Sequence, residues 1–98
     1  MANLGETAEG TDTAQVTLAA PGTGRRWYLQ DLSAKSDSAA VLTVQSPAST
    51  NNLRHSLDAG MGYEKAWGGN GLAMGENAAV VIDVSAGTYD INYRAIVR

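Results

Sequence analysis

The 98-residue chain contains no cysteine and no phenylalanine, and His55 is its only histidine. Without cysteine, neither a disulfide framework nor a thiolate metal site can form. With a single imidazole, a metal site or a nucleophile–base pair built on several histidines is excluded as well. The sequence therefore predicts no metal ion and no cofactor.

Large hydrophobic side chains are also scarce. Of the 43 hydrophobic residues, 16 are alanine, which leaves few bulky side chains to fill a core. A domain of this size buries only roughly 60–68% of the surface of its unfolded chain. We therefore expect a thin stability margin for a lone monomer, and added stability from self-association or a partner surface.

The charge balance argues against several partners. Seven basic and ten acidic residues give a net charge of −3, whereas nucleic-acid-binding proteins usually carry a basic stripe. Arg25 and Arg26 beside Trp27 and Tyr28 could form a phosphate contact with a stacking platform, but a strand with charged residues at its entrance is favoured. No apolar run approaches the roughly 20 residues of a membrane span, and residues 1–6 lack the basic start and the apolar run expected of a secretion signal. We expect neither a nucleic acid nor a membrane as partner, and synthesis in a reducing cytoplasm.

Residues 1–12 differ in composition from the rest of the chain. They contain Glu6, Glu9 and Asp12, and Leu4 is their only large aliphatic residue. Such a segment buries too little surface to offset the entropy of ordering it. We therefore predict an N-terminal arm over residues 1–12, flexible unless a neighbour orders it, followed by one domain over residues 13–98.

The hydrophobic pattern of that domain has a period of two. The clearest example is residues 78–85, where Val80, Ile82 and Val84 alternate with Val81 and Asp83. Further strands are predicted over residues 13–20, 25–34, 39–46, 51–58, 60–67 and 88–98. Seven or eight short strands without a helix indicate an all-β fold, a β-sandwich or jelly roll of antiparallel strands.

Alternation also predicts which side chains face inward. The predicted inward set is Val16, Leu18, Trp27, Leu29, Val41, Val44, Leu57, Val80, Ile82, Val84, Tyr89, Ile91, Tyr93 and Val97. One alternative stays open in the second segment, because Tyr28 and Leu32 could equally define its inner face.

Residues with catalytic potential are few. His55 could act as a base, but its neighbour Ser56 must point to the opposite face of a strand. A solvent-facing or interface histidine is the favoured interpretation. Asp31, Asp83 and Asp90 could supply paired carboxylates, but outward carboxylates on a sandwich are usually solvated or paired with an arginine on a neighbouring strand, such as Arg94. We therefore expect no enzymatic activity and no catalytic residues.

Glycines are concentrated in residues 68–75. This segment lacks the Lys-Ser/Thr pair of a phosphate-binding loop, and no helix follows it. A connection between strands with several positive φ angles explains the glycines better. Glu76 and Asn77 alone are too few for a calcium site.

Met61, Tyr63 and Trp67 stand beside this glycine-rich segment. They could stack on sugar rings, anchor a protein interface, or close one end of the core. With Leu4 of the arm, they are the candidate interface residues.

Four passages together resemble small jelly-roll-like structural proteins of tailed bacteriophages. They are residues 24–34 (GRRWYLQDLSA), 38–44 (SAAVLTV), 71–84 (GLAMGENAAVVIDV) and 89–94 (YDINYR). In that pattern a Gly-Leu entry precedes Asn-Ala and a hydrophobic strand, and the final strand carries an inward tyrosine and an outward arginine. The resemblance covers about residues 14–98.

The resemblance implies a virion component without catalysis, a capsid decoration (cement) protein made in the host cytoplasm and located on the capsid surface. Such proteins commonly form homotrimers and dock on the major capsid protein, often through a terminal arm. The alternative is a carbohydrate- or receptor-binding β-sandwich module of a phage head or tail fibre, with Trp67, Tyr63 and the glycine-rich segment as its sugar platform.

Overall fold

In the computed structural model of the chain, residues 7–12, 14–47, 50–67 and 71–98 are described, the first of these ranges by its backbone only. These residues form two antiparallel β-sheets and contain no helix. The strands are β1 (Thr7–Asp12), β2 (Val16–Leu18), β3 (Arg26–Ser36), β4 (Ala40–Gln45), β5 (Asn51–Leu57), β6 (Gly62–Ala66), β7 (Leu72–Glu76), β8 (Val80–Val84) and β9 (Tyr89–Val97). The predicted all-β, antiparallel fold is confirmed.

Sheet A contains β1, β9, β3, β6 and β7, and sheet B has the order β2-β8-β4-β5. In sheet A, β6 and β7 lie on the same edge of β3: β6 pairs with residues 31–35 and β7 with residues 26–29. They act as one strand interrupted opposite Gln30. Counted in that way, the described chain has eight strands, four in each sheet.

The strand pairs are nested around the turn between β4 and β5. From the inside outward they are β4 with β5, β3 with β6 and β7, β2 with β8, and β1 with β9. The chain therefore resembles a long antiparallel ribbon that is folded over so that successive pairs fall alternately in sheet B and sheet A.

The core lies between the two sheets and is lined by alternate residues of each strand. Most of the predicted inward residues are buried there, with Val44, Ile82, Ile91 and Val97 almost or fully inaccessible. Tyr89 and Tyr93 are half-buried and pack against the edge of this core. The core is completed by residues outside the predicted inward set, namely Ala34, Ala40, Leu42, Met74 and Ala95.

Val41 does not belong to the core, contrary to the prediction. Ala40, Leu42 and Val44 alternate inward along β4, so Val41 is half-buried and faces outward. A β-branched side chain indicates a strand but not which of its faces is buried. Position relative to Val44 was the better guide, because residues an odd number apart face opposite ways.

A β-bulge resolves the alternative left open for β3. The register of β3 with β9 shifts between Leu29 and Asp31, which inserts one extra residue, Gln30. Trp27 and Leu29 are buried before the bulge, and Leu32 is buried after it. The face of Trp27 and Leu29 is therefore the inner one before the bulge, and the face predicted from Leu32 is the inner one after it.

Two strands lie where the sequence predicts other structure. β1 falls within the segment predicted as an arm, and its backbone pairs with β9 from Thr7 to Asp12. Sheet A therefore begins before the predicted boundary at residue 13, while Leu4 lies outside the described residues. β7 falls within the glycine-rich segment predicted as a loop, where Leu72 and Met74 pack against or within the core.

Candidate functional site

Met61, Tyr63 and Trp67 lie along one face of β6 and its flanking residues, and we call them the β6 cluster. Tyr63 pairs with Ala34, whose side chain is in the core, so this face of β6 is directed between the sheets. Tyr63 and Trp67 are half-buried against the core, whereas Met61 is 63% exposed. The structure thus brings together the three candidate residues that it describes.

His55 joins this cluster from the other sheet. It pairs with Leu42, which is fully buried, so His55 lies on the inner face of β5 yet remains exposed to solvent. The centroid of its ring lies 4.4 Å from the centroid of the Tyr63 ring, and the two ring planes are inclined at 39°. The contact links the edge strands of sheet A and sheet B, so side chains close this lateral opening of the sandwich.

Trp67 is fixed at the end of β6 by the bulge in β3. Its backbone N–H donates a hydrogen bond to the carbonyl of Gln30 over 2.9 Å. Gly71 returns the chain to β3 with φ of +88°, and a Cβ there would lie 2.6 Å from the Leu29 carbonyl oxygen. Only glycine fits both the left-handed backbone and this close approach. The expected positive φ is thus present at Gly71, and residues 68–70 lie outside the described residues.

Trp27 and Arg26 of the Arg25–Tyr28 segment make contacts within the protein. Trp27 is 5% exposed, and its indole N–H donates to the carbonyl of Ala19 over 2.8 Å. The guanidinium of Arg26 donates to the Met74 carbonyl over 3.2 Å. These groups hold β3 to its neighbours, in agreement with the favoured interpretation of charged residues at the entrance of a strand.

Two of the carboxylates considered for catalysis contact other side chains of the protein. Asp31 forms a 3.2 Å ion pair with Arg94 on the neighbouring strand. Asp83 accepts a hydrogen bond from Tyr89, and loss of hydration together with the Asp83 charge and this bond raises the pKa of the Tyr89 hydroxyl. Among the described side chains, no group of three or more His, Asp and Glu residues could hold a metal ion.

Two adjoining depressions on the outer face of sheet A were missed by sequence reasoning. One, of about 290 Å³, is lined by Asp31, Leu32, Ser33, Glu64, Lys65 and Ala66. The other, of about 240 Å³, is lined by Ser33, Ala34, Lys35, Gly62, Tyr63, Glu64, Asp90 and Asn92. They share Ser33 and Glu64, which pair across β3 and β6. In the sequence, the short side chain of Ser33 between the longer Asp31 and Lys35 could have indicated a depression on this face. The pairing of β3 with β6 is needed to place Glu64 beside Ser33.

No family model, curated protein or solved structure matches the chain. Within the part of the chain that the structure describes, no helix has the length and apolarity needed to span a membrane.

Proposed function

We propose that this chain is a non-enzymatic virion structural protein, a capsid decoration protein of a tailed phage. It self-associates as a homotrimer and binds the major capsid protein on the capsid surface. The resemblance over residues 14–98 suggests the virion and the trimer. The β6 cluster is the observation that supports an interaction role.

The β6 cluster has the composition of an interface. Met, Tyr and Trp are enriched in protein interfaces relative to the rest of the surface. Here Tyr63 and Trp67 are anchored against the core, and Met61 extends beyond them with 63% of its surface exposed. A second copy that covers these side chains would remove apolar surface from water and add stability to a thin core.

We also propose that the sandwich is a jelly roll. The nested pairing of β1–β4 with β5–β9, with successive pairs alternating between the sheets, is the pattern expected when one long ribbon is wound into two four-stranded layers. A two-layered sandwich of this kind has its strand edges and turns at its periphery, where they can contact and bridge neighbouring capsid subunits. Many weak contacts of this kind act together through avidity.

Light scattering of Met61→Lys tests self-association through the β6 cluster. The wild type should have about three times the monomer mass of 10.2 kDa at micromolar concentrations, and Met61→Lys should shift it toward the monomer. Ala59→Lys is the matched control, because Ala59 is also exposed in the turn before β6. A monomeric wild type, or an oligomer that Met61→Lys leaves intact, would contradict the proposal.

Co-sedimentation with assembled heads tests capsid binding. The heads should be built from the major capsid protein encoded with this chain. We expect the full chain to pellet with them, and deletion of residues 2–6 to weaken binding while leaving β1 in place. Failure of the full chain to bind would refute the decoration role, and undiminished binding of the shortened chain would refute the role of the arm with Leu4.

A further inference from the structure

The outer face of sheet A carries a second candidate site, on the opposite face of β6 from the β6 cluster. Ser33 in β3 is flanked across the sheet by Glu64 of β6 and Asn92 of β9. Along β3 it is flanked on the same face by Asp31 and Lys35. A short hydroxyl side chain is thus surrounded by longer polar ones, and the two depressions open on either side of the Ser33–Glu64 pair.

We propose that this face binds an uncharged oligosaccharide, which lies along β3 with adjacent sugar residues in the two depressions. The proposal stands independently of the decoration role. The depressions, of about 290 and 240 Å³, lie at or below the low end of the range for enclosed small-molecule pockets, roughly 300–1,000 Å³. They therefore suit successive units of an extended polymer better than one enclosed ligand.

The charges around the depressions favour a neutral ligand. On the outer face the carboxylates are Asp31, Glu64 and Asp90 and the cations are Lys35 and Arg94, whereas Lys65 pairs with buried Leu32 and lies on the inner face of β6. Charges of the two signs alternate on this face and leave a net charge of only −1, with Asp31 already paired with Arg94, so neither a phosphate polymer nor a polycation is strongly selected. Hydroxyl groups can both donate to the carboxylates and accept from the ammonium of Lys35 and the guanidinium of Arg94, which makes a polyhydroxylated ligand complementary to this lining.

Other macromolecular ligands fit this face less well. Peptides usually bind by pairing with a free sheet edge or by placing apolar anchors in a groove. β3 is paired on both sides, by β9 and by β6 with β7. Much of the lining is charged or hydroxyl-bearing, so a peptide would find neither free backbone groups on β3 nor a deep apolar pocket.

Amide chemical shifts of the ¹⁵N-labelled full chain test the proposal. The neutral probes are maltotetraose, chitotetraose and mannotetraose, and tetragalacturonate and chitosan tetramer are charged probes of similar length. We expect at least one neutral probe to shift amides in residues 31–35, 62–66 and 90–92, with a Kd of about 1 mM. The charged probes should bind more weakly.

Ser33→Trp should fill the floor between the depressions and raise the Kd about tenfold or more. Ser56→Trp is the matched control, because Ser56 is exposed and pairs with outward-facing Val41 on sheet B. A dispersed spectrum of each variant establishes that it is folded. If Ser33→Trp does not fold, Glu64→Ala, which removes the wall shared by both depressions, replaces it.

Several outcomes would overturn the proposal. They are an absence of shifts with all three neutral probes at about 10 mM, shifts confined to residues outside the depressions, tighter binding of either charged probe, and unchanged affinity in the folded variant. Stronger shifts of the same amides by the peptide Gly-Ser-Gly-Ser would favour a peptide ligand and overturn it as well.

Discussion

Gly87 shows how little space some residues leave for a side chain. Its φ is +83°, and a Cβ would lie 2.5 Å from Ser36 Oγ and 2.6 Å from Asp37 Oδ1. Ser36 is buried, and its hydroxyl donates to the Ala86 carbonyl and accepts from the Ser38 N–H. The turn between β8 and β9 therefore depends on both the backbone freedom and the small size of glycine.

Gly87→Ala should lower the free energy of unfolding by about 2–3 kcal/mol, since it combines backbone strain with displacement of a buried hydroxyl. Gly60→Ala provides the comparison, because Gly60 has φ of +75° but open space around its Cβ position. It should lose only about 1 kcal/mol. Urea unfolding measures both, and equal losses would show that the contact with Ser36 adds nothing.

Tyr89 gives the chain a specific sensitivity to alkaline pH. Loss of hydration, the Asp83 charge and the hydrogen bond to Asp83 raise the pKa of its hydroxyl in the folded state. A raised folded-state pKa stabilises the protein below the unfolded-state value of about 10, and this stabilisation is lost as the pH rises through the folded-state pKa.

Wild type should therefore lose more stability than Tyr89→Phe between about pH 9 and about pH 12. Lysines and the other tyrosines titrate in both proteins, so the difference between the two curves isolates Tyr89. Denaturant unfolding at a series of pH values supplies the measurement. Parallel curves would mean that the interaction with Asp83 does not distinguish the folded state.

At the scale of elements, the bulge in β3 organises sheet A. At Gln30 the register with β9 shifts on one side, and β6 gives way to β7 on the other. The bulge also permits Trp27 and Leu29, and then Leu32, to face the same core. One inserted residue therefore reconciles two otherwise conflicting alternations.

Deletion of Gln30 should prevent folding, because a regular β3 would turn either Trp27 and Leu29 or Leu32 and Ala34 to the outside. Gln30→Ala keeps the chain length and should retain the fold with a smaller loss of stability. Far-ultraviolet circular dichroism and thermal unfolding distinguish these results. A cooperatively folded deletion variant would show that the bulge is dispensable.

A second element-scale contact joins the end of β4 to β7. The buried hydroxyl of Ser46 accepts a hydrogen bond from the Gly75 N–H over 3.1 Å. Ser85 makes an equivalent bond to the Val41 N–H over 2.8 Å, but at an exposed position. If the hydroxyl were removed, water could replace the bond at exposed Ser85 but could not readily reach the buried position of Ser46.

Ser46→Ala should therefore cost about 1–3 kcal/mol, the penalty for an unsatisfied buried donor, and Ser85→Ala should cost about 0.5–1 kcal/mol. Urea denaturation of the two variants gives the comparison directly. A larger loss of unfolding free energy for Ser85→Ala than for Ser46→Ala would show that the contact between β4 and β7 is not the more stabilising of the two.

Seven of the nine strands lie in segments that alternation or β-branched residues predict, and the pattern is clearest in β4 and β8, where every second residue is buried. β1 could not be predicted in this way, since the sequence of Thr7–Asp12 has no hydrophobic face and backbone pairing with β9 places it. β7 was hidden by Gly71 and Gly75 around Leu72 and Met74. The β6 cluster was predictable from its residue types, whereas the partners of Tyr63 and Ser33 depend on strand register, which only the tertiary fold determines.

At the scale of the whole molecule, the sandwich has extents of 45 × 24 × 19 Å and a thin core. It exposes a charged outer face on sheet A and an apolar residue, Met61, at one lateral edge. If the β6 cluster mediates self-association, stability and assembly are thermodynamically linked.

The thermal midpoint of the wild type should therefore rise with protein concentration, by several degrees over a hundredfold range. In Met61→Lys it should be nearly independent of concentration, while Ala59→Lys should behave as the wild type does. Scanning calorimetry at several concentrations measures this. A wild-type midpoint that does not change with concentration would contradict coupling between assembly and stability.

The nested pairing of the strands has a consequence for the order of folding. The innermost pair, β4 with β5, closes a short loop, whereas β1 and β9 meet across nearly the whole described chain. Because loop-closure entropy grows with separation, formation should propagate outward from the β4–β5 hairpin, and β1 should join last and detach first. Hydrogen exchange should accordingly be fastest in β1 and slowest near Leu42 and Val44. When β1 detaches, the edge of β9 becomes the first unpaired strand edge that the native chain exposes to its surroundings.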